Sequence, residues 1–427
     1  MTSLVSQTAS ALAARLRRGE LAVETLARAC LERATAREAE VHAWAYLDPE
    51  LVLAEARKLD RDGPKGPLYG LPVGIKDIFL TKDMPTEHNS PIYLGSRPGI
   101  DAACVKILRA AGALLFGKTD TVEFGATGRR ALTRNPHDLT RTPGGSSSGS
   151  AAAVADLHVP LALGTQTAGS LIRPASFCGI FAMKPTWNLV SSEGARSFAP
   201  TLDTIGWFGR SAADLALMYE VFDTEEAALP QFEADSIRIA VCRSPAWDQA
   251  SESTREALAR GASILRQAGA DVRELDLPAE FSPLIDMHKL IMHAEARSTF
   301  LAEYRADRAL LHESFVGFVE NADRTTRKDL LSAYDMAASC RVLFDRLAEA
   351  YDAVLTPSVV GEAPLGLTDT GSLVFQRIWT LLHVPCINVP GFTGANGLPI
   401  GLTLVGPRFA DRRVLAAAAC FEGLLSA

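Results

Sequence analysis

The chain has 427 residues, 48% hydrophobic and 22% charged, which is enough apolar material for a large core and excludes a disordered chain. Its formal net charge of −7 argues against a nucleic-acid surface, which needs clustered lysine and arginine. The seven cysteines are scattered with no C-x-x-C pair, and no run approaches a membrane span or a signal peptide, so reduced thiols in a soluble, cytoplasmic enzyme are expected rather than a disulfide frame or a zinc site.

Helices open the chain. One runs from about Thr8 to Arg18 and stops at Gly19, with cations in its last turn. In the next, Val23, Leu26, Ala27, Cys30 and Leu31 recur at helical spacing and offer one apolar face to the body of the molecule. From Leu71 onward, short apolar runs alternate with helical patterns: Leu71 to Ile75, Ala113 to Phe116, Pro160 to Leu163, Ile237 to Val241 and Ala353 to Leu355. This alternation predicts an α/β fold in which a large, mostly parallel or mixed β-sheet is sandwiched between helices. Leu284 to Asp352 is helical in pattern almost throughout and is expected to cap the site, within a single domain of residues 1–427. Asp369 to His383 is expected to close the other wall.

Two glycine loops carry serines: Gly144-Gly145-Ser146-Ser147-Ser148-Gly149-Ser150 and Thr167-Ala168-Gly169-Ser170, with Gly74-Ile75-Lys76-Asp77 upstream. Between the loops there is room for one helix and one strand. A serine hydroxyl is a poor nucleophile until a base takes its proton. Ser170 follows Gly169 and the small Ala168, where backbone N–H groups can approach a carbonyl oxygen and form an oxyanion hole. The Ser146 hydroxyl can pass a proton from Ser170 to Lys76, provided that burial keeps the lysine neutral enough to accept it. The apolar run before Lys76 predicts that burial, and Gly145 leaves room for an unusual backbone, even a cis non-proline peptide.

Competing motifs are present. Gly112 to Thr119 satisfies the P-loop pattern letter for letter. A phosphate loop follows a strand and opens a helix, whereas Ala113 to Phe116 is itself strand-like and follows the helical pattern Ala102 to Ala111. Gly145 to Gly149 also fits the G-x-S-x-G elbow, with Ser147 as nucleophile, but the preceding Asn135 to Asp138 and Arg141 to Pro143 read as loop where the elbow needs a strand. A flexible serine-glycine linker is the bland alternative, against which an alanine-rich helical pattern follows at once. His88 and His137 read as hydrogen-bonding loop residues. Arg173 reads as an ion-pair partner of a loop carboxylate ahead of a substrate clamp.

At these residues the sequence resembles the amidase signature family. Gly74 to Asp77, Gly117-Lys118-Thr119-Asp120 with Glu123-Phe124, Pro143 to Ser150 and Leu163 to Pro174 follow the family's order and spacing, with clear coverage from about Gly70 to Pro185. The resemblance implies a single α/β/α sandwich, with Ser170 as nucleophile, Ser146 as the cis-peptide serine that relays the proton, and Lys76 as the base. It also implies an oxyanion hole from the N–H groups of Thr167, Ala168, Gly169 and Ser170, and no metal or organic cofactor. Arg173, Ser147 and Thr165 are the expected substrate contacts.

Two positions depart from the family pattern. Many members carry glycine where this chain has Ala168, and aspartate where it has Gln166, which removes any charge-based role there. Gly164 to Thr167 with Ile172-Arg173-Pro174 looks most like the compact malonamidase-type enzymes. The expected activity is hydrolysis of a small-molecule carboxamide through an acyl-enzyme at Ser170. Alternatives are a carbamate or urea-type hydrolase with the same triad, an amidotransferase subunit that feeds ammonia to a partner, and a nucleotide-binding protein built on Gly112 to Thr119. No nucleic-acid or membrane partner is expected, and a homodimer is compatible with the sequence.

Overall fold

Eleven strands pair into one sheet in the computed structural model, which describes residues 4–225 and 228–426. They are β1 (Trp44–Tyr46), β2 (Pro72–Lys76), β3 (Leu114–Thr119), β4 (Leu161–Gln166), β5 (Phe181–Lys184), β6 (Thr204–Gly209), β7 (Arg238–Val241), β8 (Asp271–Glu274), β9 (Ala353–Pro357), β10 (Cys386–Thr393) and β11 (Pro399–Val405). Their order across the sheet is β1-β3-β2-β4-β6-β5-β10-β11-β9-β7-β8. β2 pairs parallel with β3 and β4, and β7 pairs parallel with β8 and β9. The middle of the sheet, from β4 through β6, β5, β10 and β11 to β9, is antiparallel. The sheet is therefore mixed, and helices flank it.

Every position of β2, β3 and β4 is buried, as expected of near-continuous apolar strands covered on both faces. Helix Ala9–Arg17 starts after Thr8, whose side chain accepts from Ala11 N, and carries Arg15 and Arg17 in its last turn. Val23–Val41 buries Val23, Leu26, Ala27, Cys30 and Leu31 along one face. The central antiparallel strands are the part that apolar runs do not predict. In β6 a Cβ on Gly206 would lie 2.1 Å from the Met183 carbonyl oxygen of β5, so the strand carries glycine where a β-former would read clearly.

Gly112 to Thr119 does not form a phosphate loop. Helix Ala103–Ala110 precedes it, β3 occupies Leu114–Thr119, and Lys118 is buried in an ion pair with Asp77 at 2.9 Å. Helices Leu284–Thr299, Leu301–Ala306, Glu313–Val319 and Arg327–Ala348 fill most of the 284–352 segment. With Val374–Leu381 they share a second hydrophobic cluster, built on Phe281, Phe300, Phe315, Phe344 and Trp379 and separate from the main core. The cysteines are unpaired, and all but the half-buried Cys420 are buried. No described helix is long and apolar enough to cross a membrane.

Candidate active site

Parallel pairing of β2 and β4 puts their C-terminal ends side by side, and these ends are Lys76 and Gln166. Lys76 Nζ is fully buried and donates to Ser146 Oγ at 2.8 Å, Ser147 Oγ at 3.0 Å and Thr165 Oγ1 at 2.8 Å. Three hydroxyl oxygens satisfy an ammonium, and hydroxyls can rotate to donate to a neutral amine. Burial pulls the lysine pKa down to about 7, against the Asp203 carboxylate, which favours the charged form. The Gly145–Ser146 peptide bond is cis, and Ser146 Oγ donates to Gly125 O at 2.5 Å.

Ser147 and Thr165, expected at the substrate, turn their hydroxyls to Lys76 instead. Ser147 is fully buried and also donates to Thr165 O at 3.2 Å. That burial also leaves Ser147 inaccessible as the nucleophile of an elbow, and the segment before the loop supplies no strand. His88 packs edge-on against Tyr93, and His137 Nε2 lies 2.9 Å from Cys178 O. Neither histidine lines the cavity described next.

Ser170 lies in the turn between β4 and helix Ile172–Cys178 and lines a cavity of about 620 Å³. Its hydroxyl has no hydrogen-bond partner among the described residues. The carbonyls of its loop are held from outside: His288 Nε2 meets Thr167 O at 2.8 Å, Thr380 Oγ1 donates to Ala168 O at 2.8 Å, and Arg173 N donates to Gly169 O at 3.0 Å. The N–H groups of Thr167, Ala168, Gly169 and Ser170 have no partner among the described residues. Gln166 Oε1 accepts from Leu171 N at 3.0 Å and Ile172 N at 3.1 Å, while its Nε2 donates to Thr380 Oγ1 at 3.0 Å. The neutral amide thus caps the helix and braces the loop, two tasks that need a donor as well as an acceptor. The Cβ of Ala168 has room because it lines the cavity.

Arg173 makes no ion pair among the described residues, unlike the carboxylate partner expected for it. It is 2% exposed, with Nη2 donating to Gly145 O at 2.5 Å and Nη1 donating to Gly371 O. Burial lowers its pKa to about 9. The side chain therefore ties the Ser146 loop to the 369–373 segment. Gly144, at φ +83°, lets the two loops approach: a Cβ there would stand 2.8 Å from Pro174 Cα. Ile285, Asp286, Met292, His293 and Phe318 line the cavity from the 284–352 segment, and Asp369 to Val374 with Arg377 line it from the other.

Sequence reasoning missed Asp203. Its Oδ1 accepts from Thr167 Oγ1 at 2.5 Å, and its Oδ2 from Ser197 Oγ at 2.6 Å, Phe198 N at 2.7 Å and Ala199 N at 3.1 Å. Burial raises its pKa, and these hydrogen bonds oppose the rise. His288 and Thr380 were missed as well. All three reach the second glycine loop through tertiary contacts, so no local spacing announces them.

The amidase family model matches residues 25–415. The chain belongs to the amidase family. It is thus an amidase-family enzyme, a C–N hydrolase or an amidotransferase. One of the subunits of the glutamyl-tRNA(Gln) amidotransferase of Symbiobacterium thermophilum is 35% identical over 474 positions, covering 96% of each chain. That alignment is longer than the 427 residues here, so the relative carries internal segments with no counterpart in this amidase-family chain. Among solved structures, an amidase superposes with a TM-score of 0.87 at 28% identity, covering 98% of this chain and 99% of the other. The 6-aminohexanoate cyclic dimer hydrolase, solved with its substrate, superposes with a TM-score of 0.87 at 25% identity, covering 99% and 98%.

Proposed function

We propose that the chain cleaves the C–N bond of a small polar carboxamide through an acyl-enzyme on Ser170. The observation that carries this reading is Lys76: a fully buried lysine, lowered to about 7, with Ser146 Oγ at 2.8 Å and the Ser170 loop beside it on the next strand. Ser170 Oγ attacks the carbonyl carbon while Ser146 Oγ takes its proton and gives its own to neutral Lys76. The N–H groups of Thr167, Ala168, Gly169 and Ser170 receive the developing oxyanion. Collapse breaks the C–N bond, and the proton returns from Lys76 through Ser146 to the leaving nitrogen. Water then repeats the sequence on the acyl-enzyme, releasing the acid and restoring Ser170.

The setting of this step has two readings. The relative at 35% identity is by name one part of an amidotransferase, which favours a chain that passes its ammonia to a partner over the free-standing amidase of the sequence reading. The likeness to the cyclic dimer hydrolase supports free-standing hydrolysis. Ammonia release from a panel of amides by the purified chain, with and without proteins that co-purify with it, separates the two. Ser170→Ala should reduce release to background in either setting with the melting temperature unchanged; a near-normal rate would end the Ser170 reading.

A further inference from the structure

Arg377, on helix Val374–Leu381, lines the cavity that holds Ser170. Its guanidinium makes no hydrogen bond or ion pair among the described residues, and its Nε is buried without a partner. A half-desolvated guanidinium with no hydrogen bond or contact ion pair is costly unless an acceptor meets it. Burial pulls its pKa below the usual arginine range, and Asp286, on the same cavity, acts the other way.

The position suits a substrate. Leu373 stands four residues earlier, on the same side as Arg377, and also lines the cavity. A Cβ on Gly169 would come 3.3 Å from Leu373 Cβ, so this end of the helix rests on the Ser170 loop. Arg377 begins about one turn, roughly 5.4 Å, further along. The other buried cation at the cavity, Arg173, has both Nη groups committed to the Gly145 and Gly371 carbonyls, and Arg130 is exposed. Asp369 acts on Arg173 and Asp286 on Arg377, so an anion at Arg377 must meet the guanidinium on the side away from Asp286.

We propose that Arg377 binds a carboxylate of the substrate a few atoms from the scissile carbonyl, and so selects monoamides of dicarboxylic acids over neutral amides. This inference rests on the Ser170 reading for the placement of the scissile bond. A guanidinium suits the task because its planar fork meets a carboxylate through two parallel hydrogen bonds.

The test compares succinamate with its neutral counterpart butyramide on the wild-type chain, Arg377→Gln and Arg377→Lys. In parallel, succinamate and succinate are titrated calorimetrically into Ser170→Ala and into Ser170→Ala combined with Arg377→Gln. The wild type should prefer succinamate; Arg377→Gln should raise KM for it about tenfold or more relative to any effect on butyramide, at similar kcat, and Arg377→Lys should recover part of the loss. No preference in the wild type, or an equal effect on both amides, overturns the inference. The titration separates the two failures. Binding of succinamate that depends on Arg377 in a chain that hydrolyses nothing sinks the Ser170 reading and keeps the anion site. Hydrolysis with binding indifferent to Arg377, or no binding of either probe, sinks the anion site.

Discussion

At Lys76 two effects oppose each other: burial drives the pKa towards about 7, and Asp203 holds the ammonium against it. A lysine base works when neutral, so kcat/KM should rise with pH through about 7 and level off above that value. Asp203→Asn removes the negative charge that favours the ammonium, so the acid limb should move to lower pH. Asparagine also keeps one acceptor oxygen and puts an NH2 donor in place of the other, so either Thr167 Oγ1 or the donors of Ser197, Phe198 and Ala199 lose their acceptor and the plateau should fall. pH–rate profiles of both proteins check this pair of signs. A limb that moves upward in the variant, or a wild-type rate that stays flat down to about pH 5, contradicts it. Ser170, Ser146 and Lys76 were readable as candidates because their chemistry asks for glycine loops and a buried strand end, which are local features. Asp203 was not readable, since its tie to Thr167 exists only in the folded chain.

On the scale of elements, the two loops are joined by Arg173, which contacts the carbonyls of Gly145 and Gly371 and leaves a single nitrogen, Nε, without a partner. Arg173→Ala should therefore lower the melting temperature and depress turnover of charged and neutral amides alike, since buried carbonyls lose charge-assisted donors worth about 1.5–3 kcal/mol each. Thermal melts with paired kinetics on succinamate and butyramide measure it; a selective KM effect on succinamate with unchanged stability would instead make Arg173 the anion site. The strands that the sequence revealed, β2, β3, β4, β7 and β9, are those whose apolar runs stand between helical patterns. The central ones were hidden where glycine serves close backbone approach, as at Gly206 in β6. The P-loop letters at Gly112 to Thr119 show the reverse case: a pattern match whose lysine is spent on Asp77 inside a strand.

For the whole molecule, one mixed sheet sets the C-terminal ends of β2 and β4 together, and a helical layer with its own hydrophobic cluster lies over the cavity side. The class of fold was legible from alternation and motif order. The segments expected at the site, 284–352 and 369–383, both contribute to its lining, but which of their side chains face the cavity, such as Asp286, His293 and Arg377, was not legible, because a helical pattern does not say which face meets the site.

The central claim is that Ser170 is a nucleophile activated through Ser146 by Lys76. Labelling with a fluorophosphonate followed by peptide mass spectrometry tests it most directly, because the reagent forms a stable bond to an activated serine oxygen. The account predicts one adduct, on the peptide bearing Ser170, with a labelling rate that rises through about pH 7 and collapses in Lys76→Ala. An adduct on Ser147, or labelling of Ser170 that is indifferent to the loss of Lys76, would contradict it.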